Sequence, residues 1–428
     1  MTEPRLPFSP FITGRVVQPE EFVNRKQEVR QSLSLLATGQ SVAFTGGPRI
    51  GKTSLLLYLL HNPQLQGTLA SQTGRRLVLN YMDSQTWPSD FTQAHFWERA
   101  LQPLLEAGLE EGLRETYERS RAEDFSTFTL ERLLARIQSR KWQLVLFLDE
   151  FDTILELPML RKTEFYGGLR SLASRYGTAL TLVIASRQPL SELHERTQEY
   201  TRTGSPFFNF VKELPLKPFE RKDALALLER VGDRFTREEQ DWLLNLTGGF
   251  PYLLQIAGDA LWHAYEEGQN AEERQRTTYQ TLFRVVDAGM RDIWHHWTPD
   301  MRQAFAIVAL DILEGRLGPR AFDMGPLHKT LKNLNRALLL LEEQGYLRRA
   351  GTASGYTFTA WIMLGWVVED LLRLLRSEED LASTLAREEW LGPLKRGEKE
   401  ALEKAIRGLG KLVKGAQEMV GAIKLPFA

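Results

Sequence analysis

Gly46-Gly47-Pro48-Arg49-Ile50-Gly51-Lys52-Thr53 fits the pattern G-x-x-x-x-G-K-[ST], the signature of a loop that cradles phosphates. Before it, Ser41-Val42-Ala43-Phe44-Thr45 reads as an apolar strand; after it, Ser54-Leu55-Leu56-Leu57-Tyr58-Leu59-Leu60 reads as a buried helix. The chemistry needs that order. Glycines let backbone N–H groups curl around phosphate oxygens, and the start of the helix adds the positive end of its dipole. Gly46 to Ser54 are therefore the candidate nucleotide-binding residues, with the Lys52 ammonium placed for the β- and γ-phosphates and the Thr53 hydroxyl for Mg²⁺.

Further strands follow outward from this loop. Arg76-Leu77-Val78-Leu79-Asn80-Tyr81-Met82 is a short buried run, Gln143 to Leu148 a stronger one, and Ala179 to Ala185 a third. Glu213-Leu214-Pro215-Leu216 suits an edge strand, where proline is tolerated. Residues 90–140 read as helical. Strands alternating with helices indicate a parallel sheet covered on both faces.

Asp149-Glu150 closes the strand from Gln143. The first carboxylate can hold Mg²⁺ through its water shell, and the second can polarise an attacking water. Asp152 has two readings, support for that acidic pair or a helix cap. Arg187 follows the strand expected beside the acidic one, where a guanidinium can read the γ-phosphate; Ser186 is the alternative. Arg170 and Arg175 lie on the preceding helix, either as an arginine finger for a neighbouring subunit or as surface residues.

Composition bounds the rest. The chain has 428 residues, enough for about three domains, and a formal net charge of −1, which excludes indiscriminate nucleic-acid binding by the whole molecule. It has no cysteine, which excludes disulfides, zinc ribbons and thiol catalysis. Met1-Thr2-Glu3-Pro4 starts no signal peptide and no apolar run reaches spanning length, so a cytoplasmic protein is expected.

Phe22-Val23-Asn24-Arg25, the phosphate loop, Leu148-Asp149-Glu150, Ala185-Ser186-Arg187 and Gly249-Phe250-Pro251 follow one another as in STAND-type P-loop ATPases of the AAA+-like branch. The chain resembles these proteins, in particular the bacterial and archaeal AAA-like domain ATPases, over about residues 7–365. The resemblance implies an α/β fold, with a P-loop NTPase parallel sheet followed by an α-helical lid, a winged-helix domain and a helical C-terminal tail. It implies ATP/ADP and Mg²⁺ as cofactors, with Thr53 and Asp149 on the metal and Lys52, Glu150 and Arg187 as catalytic residues. It places Val23 and Arg25 at the adenine pocket, Arg187 on the γ-phosphate, and Pro251 as a lid proline packing on adenine. Asn24 stands where the family usually has glycine; Asn tolerates a left-handed backbone, so the turn can survive.

The expected domains are 1–217 (the ATPase core with an extended N-terminal arm from Leu6 to Gly14), 218–290 (the lid), 291–365 (the winged helix) and 366–428 (the tail). Helical patterns near 298–312, 325–331 and 333–344 precede Gly345, and Tyr346 to Arg349 with Tyr356 to Phe358 flank Gly351 to Gly355: three helices and a hairpin. Lys329, Lys332, Asn335, Arg336, Arg348 and Arg349 offer a face to DNA, but the resemblance favours a winged helix that packs on protein. His295 and His296 lie between Trp294 and Trp297, which favours aromatic packing between domains over a metal site.

In the tail, Leu402, Ile406, Leu409, Val413, Ala416, Val420 and Ile423 form a heptad seam flanked by lysines and interrupted by glycines. It suits docking on the protein's own body, pairing with a partner or sister helix, or lying on a membrane surface. The expected function is a slow ATPase switch between ADP and ATP states, acting on a protein partner or its own assembly. The alternative is a DNA-handling AAA+ ATPase resembling origin-recognition or transposition regulators.

Overall fold

The computed structural model describes residues 8–198, 207–317 and 325–375. The chain divides into two compact units, Arg15–Leu216 and Lys217–Ala428 together with Met1–Gly14.

The first unit is built on five parallel strands: β1 (Ser41–Thr45), β2 (Arg76–Asp83), β3 (Trp142–Asp149), β4 (Leu180–Ser186) and β5 (Val211–Pro215), in the order β2-β3-β4-β1-β5. Among the described residues, eight α-helices connect or cover them: α1 (Lys26–Ala37), α2 (Lys52–His61), α3 (Pro63–Thr73), α4 (Gln93–Glu106), α5 (Glu111–Ala122), α6 (Thr127–Ser139), α7 (Thr163–Arg175) and α8 (Leu190–Thr197). The central strands β1, β3 and β4 are buried along their whole length, as apolar runs covered on both faces must be. α6 presents Leu130, Leu133, Leu134 and Ile137 as one buried stripe. Gln143 is a polar residue in this core, and its amide is satisfied by donating to the Leu36 carbonyl at 3.0 Å and the Thr181 hydroxyl at 2.9 Å. β5, with its terminal proline, is an edge strand, as its sequence suggests.

Register decides where the loops emerge. Thr45 pairs with Ser186, Leu148 with Ile184 and Asp83 with Asp149, so the carboxyl ends of β1 to β4 open on one side of the sheet. In parallel α/β sheets that is where ligands bind.

The second unit contains α9 (Arg221–Leu228), α10 (Arg237–Thr247), α11 (Pro251–Glu266), α12 (Ala271–His296), α13 (Pro299–Leu317), α14 (Gly325–Asn333), α15 (Asn335–Glu343), the antiparallel pair β6 (Leu347–Arg349) and β7 (Tyr356–Phe358), and α16 (Trp361–Leu375). Three helices and a hairpin thus follow α12, in the order the sequence outlines. Asp311 of α13 ties that arrangement together, pairing with His328 Nε2 at 3.0 Å and accepting the Ser354 N–H at 2.8 Å. The boundary expected at 290/291 falls inside α12, whose 26 residues bury Thr278, Leu282, Val286, Met290 and Trp294 as one stripe. Trp294 and Trp297 pack with Phe305, Tyr346 and Trp366, while His295 and His296 are exposed.

The N-terminal arm also belongs to this unit, although the sequence grouped it with the α/β core. Phe11 stacks on Phe235 at 6.1 Å and lies over Gly258, where an added Cβ would come within 2.5 Å of the ring. Ser9 donates to Asp259 at 2.6 Å, and Gln255 accepts the Ile12 N–H at 3.0 Å. The heptad seam of the tail lies outside the described residues. Among the described residues no helix is long and apolar enough to cross a membrane.

Candidate nucleotide site

β1 enters the phosphate loop under restraint from both neighbouring strands. Gly46 N–H donates to the Ser186 carbonyl at 3.2 Å, and Leu216 N–H donates to the Thr45 carbonyl at 2.7 Å. Gly46 has φ 151°, and an added Cβ would stand 2.8 Å from the Leu216 carbonyl oxygen, so this corner requires glycine. Gly51, at φ 98°, precedes α2 and provides no side-chain cap, which leaves the first-turn N–H groups for an anion. The Lys52 ammonium is buried and donates to the carbonyls of Gly46 at 2.8 Å and Gly47 at 3.0 Å. Burial pushes its pKa below the ordinary lysine value, against the opposing pull of Glu150, Asp152 and Asp149. Thr53 and Ser54 follow on the first turn of α2, both half-buried.

The segment before α1 supports this loop. Asn24 and Arg25 both have left-handed backbones, at φ 66° and 59°, as expected for an Asn replacing glycine. Arg25 is buried; its guanidinium donates to the Ile50 carbonyl at 3.1 Å and pairs with Glu28 at 3.0 Å, bracing the loop's backbone. Phe22 stacks on Tyr58 of α2 at 4.3 Å, and Val23 is half-buried beside it in sequence. Pro251 opens α11 in the second unit.

The acids stand at the end of β3. Asp149 is 2% exposed and accepts two hydrogen bonds, from the Tyr81 hydroxyl at 2.8 Å on one oxygen and from the Glu150 N–H at 3.0 Å on the other. Burial first, then the charge of Asp149, pushes the Tyr81 hydroxyl well above the ordinary tyrosine range, so it remains a neutral donor. Glu150 is left-handed at φ 49°, a conformation that costs a non-glycine residue about 1–2 kcal/mol. Its carbonyl is held by the Thr153 N–H at 2.9 Å, the Thr153 hydroxyl at 2.8 Å and the Ser84 hydroxyl at 2.6 Å. Its carboxylate pairs with Arg187 Nε at 2.8 Å. Burial raises the Glu150 pKa, opposed by Arg187 and then Lys52.

Asp152 settles between its two readings. Its carboxylate accepts the Arg187 N–H at 3.0 Å and so fixes the backbone from which that guanidinium extends. The fully buried Ser186 hydroxyl is engaged with Gln188, donating to its carbonyl at 2.9 Å and accepting its N–H at 3.1 Å, which leaves Arg187 as the residue that meets Glu150. Arg175 pairs with Glu131 across α6 and α7, and Arg170 is half-buried on α7. The structure thus brings Lys52, Asp149, Glu150, Asp152 and Arg187 within one electrostatic neighbourhood. Tyr81, Ser84 and Thr153 complete it and carry no motif; only the pairing of β2 with β3 reveals the first two.

A parallel sheet of this order, with a phosphate loop after β1 and paired acids after β3, defines a P-loop ATPase fold of the AAA+-like kind. The chain belongs to the AAA-like domain family, whose profile matches residues 14–271. Its structure is similar to the Walker-type ATPase PABY2304 of Pyrococcus abyssi, with TM-score 0.53 and 15% identity, covering 84% of this chain and 99% of that one. A more distant similarity is to the ORC2 protein of Aeropyrum pernix in ADPNP–ADP complexes, with TM-score 0.47 and 13% identity over 84% of this chain and 99% of that one. In sequence it is 22% identical over 297 residues to an uncharacterized WD repeat-containing protein of Synechocystis sp., a match that covers 67% of this chain and 23% of that protein's length.

Proposed function

We propose that this protein is an ATP-binding, slowly hydrolysing switch whose conformation or assembly differs between its ADP and ATP states. One observation carries the reading. The acid placed to activate water and the arginine placed to read the γ-phosphate hold each other, Glu150 to Arg187 at 2.8 Å. A γ-phosphate is a stronger partner for a guanidinium than one carboxylate, so Arg187 exchanges Glu150 for phosphate only when ATP is present. ADP leaves the pair closed. The difference between the two states is therefore built into one contact, which is what a nucleotide switch requires.

Lys52 leaves the carbonyls of Gly46 and Gly47 for the β- and γ-phosphates. Glu150, once released, orients a water and takes its proton, and Arg187 stabilises the charge that develops on the phosphoryl oxygens. The donor set suits Mg²⁺: the Thr53 hydroxyl and the Asp149 carboxylate are hard oxygen ligands, and a small octahedral ion takes few protein ligands and fills the rest with water and phosphate oxygens. Bound there, Mg²⁺ would neutralise phosphate charge. From the resemblance we carry over Pro251 as the residue through which the helical unit responds to nucleotide. The Synechocystis relative is named for WD repeats, which supports a partner or attached module of repeat architecture as the source of the signal.

A second reading has its own support. Lys329, Lys332, Asn335, Arg336 and Arg348 are exposed around α14, α15 and the hairpin, a face suited to a phosphate backbone. Arg349 is engaged by Glu342 at 2.9 Å. Light scattering with ADP, with a non-hydrolysable ATP analogue, and with the analogue plus duplex DNA separates the readings. Assembly with the analogue alone supports the self-contained switch; assembly only with DNA supports DNA handling; no change in any condition moves the search to a protein partner.

A further inference from the structure

The two adjacent acids have partners of different charge. Glu150 faces a cation, Arg187, whereas the side-chain partner of Asp149 is the neutral phenol of Tyr81. A cationic partner would neutralise Asp149 and compete with a metal ion. A phenol orients the carboxylate and leaves its charge intact. An ionised carboxylate accepts at about four lone-pair sites. Tyr81 takes one on the first oxygen and the Glu150 N–H takes one on the second, so each oxygen retains acceptor capacity while the plane of the group is fixed. Tyr81 is itself anchored, on β2 opposite Phe147 of β3 in a register that pairs Asp83 with Asp149.

We propose that Tyr81 is the positioning residue for the divalent cation of this site, acting through Asp149. The inference rests on the nucleotide-site reading above. It assigns Tyr81 no contact with nucleotide and no part in proton transfer. Its removal therefore weakens the cation and spares the metal-free nucleotide.

The test uses the whole chain carrying Tyr81→Phe, which retains the ring and deletes only the hydroxyl. Binding of Mn²⁺ to the protein–ADP complex is followed by electron paramagnetic resonance, and binding of ADP is measured calorimetrically with EDTA present. Removing a partner that orients a metal ligand typically weakens metal binding 10- to 100-fold, and we expect about tenfold here. ADP affinity in EDTA stays as in the parent. Mn²⁺ affinity unchanged within about twofold overturns the proposal, as does an equal loss of ADP affinity in EDTA, which is the mark of general distortion. In an Asp149→Asn background, Tyr81→Phe causes no additional loss of Mn²⁺; an undiminished loss there means Tyr81 does not act through Asp149. If the parent binds ADP no better than Lys52→Ala does, the nucleotide-site reading itself has failed and takes the proposal with it.

Discussion

The phosphate loop after β1 and the acidic turn after β3 both leave the carboxyl ends of parallel strands, but the chain holds them by different means. Lys52 closes the loop onto carbonyls five and six residues earlier and Gly46 and Gly51 supply its angles, while the distant Ser186, Leu216 and Arg25 brace only its backbone and do not engage the Lys52 ammonium. The acidic turn depends on distant chain: Tyr81 of β2 and Ser84 just after it, 68 and 66 positions before the groups they bind, and Arg187 beyond β4, 37 positions after Glu150. A locally closed loop is a binding device that works or fails as a unit. A turn suspended between three strands can be adjusted one partner at a time. Substitutions in the loop are accordingly expected to abolish binding, and those around the turn to tune turnover, metal and state.

The largest effect tests the loop. Lys52→Ala removes the ammonium buried against the Gly46 and Gly47 carbonyls, and nucleotide binding should fall by at least about 100-fold in calorimetry. Retained binding would mean that the loop does not act as a unit. Glu150→Gln should separate the two regions: ATP binding remains, turnover drops by about 10²–10⁴, and the ATP form accumulates. Hydrolysis at the parental rate would remove Glu150 as the base.

Arg187→Ala changes the pH dependence. Glu150 must be ionised to accept a proton, and burial has already raised its pKa, with Arg187 the first of the groups opposing that rise. Activity is lost as pH falls through that raised value, so the acid limb of kcat/KM lies above the ordinary glutamate range near about 4.3. Without Arg187 the limb moves further up, toward neutral pH, and the preference for ATP over ADP narrows. A limb that moves down, or stays in place, contradicts the pairing.

How much of this was legible in the sequence follows the same division. The loop, the central strands and the proline-bearing edge strand are local features, readable from glycine spacing and apolar runs. Asp149, Glu150 and Arg187 are readable because the pairs Asp149-Glu150 and Ser186-Arg187 each close an apolar run. Tyr81 and Ser84 were not, since a tyrosine or serine near a strand end has no signature until β2 is known to pair with β3. The N-terminal arm was grouped with the nearest chain because Phe235 and Gly258, its partners, are more than 200 positions away. The position 290/291, where a boundary is expected, lies inside α12. Nothing between Ala271 and His296 stops a helix except the single Gly289, and a buried stripe at four-residue spacing outweighs one glycine costing about 1 kcal/mol.

The smallest effect examines how the load on the turn is shared. The Ser84 and Thr153 hydroxyls both lie within hydrogen-bond reach of the Glu150 carbonyl, Ser84 also within reach of the Asp149 carbonyl, and with their oxygens 2.5 Å apart one hydroxyl donates to the other while the other donates to the carbonyl. Ser84→Ala alone leaves the carbonyl its Thr153 partners, so the cost should be about 1 kcal/mol, the net value of one hydrogen bond, with nucleotide binding unchanged. Thr153→Val alone should cost a similar amount, because the Thr153 N–H and the Ser84 hydroxyl remain. Together they strip both hydroxyls from a turn already held in a left-handed conformation, and the loss should exceed the sum of the two as Glu150 relaxes away from Arg187. Thermal melts of the four proteins give the coupling, and the turnover of the double variant should fall with it. Additive losses with turnover unaffected would mean that the left-handed Glu150 is maintained by the strands themselves, making the acidic turn as self-contained as the loop beside it.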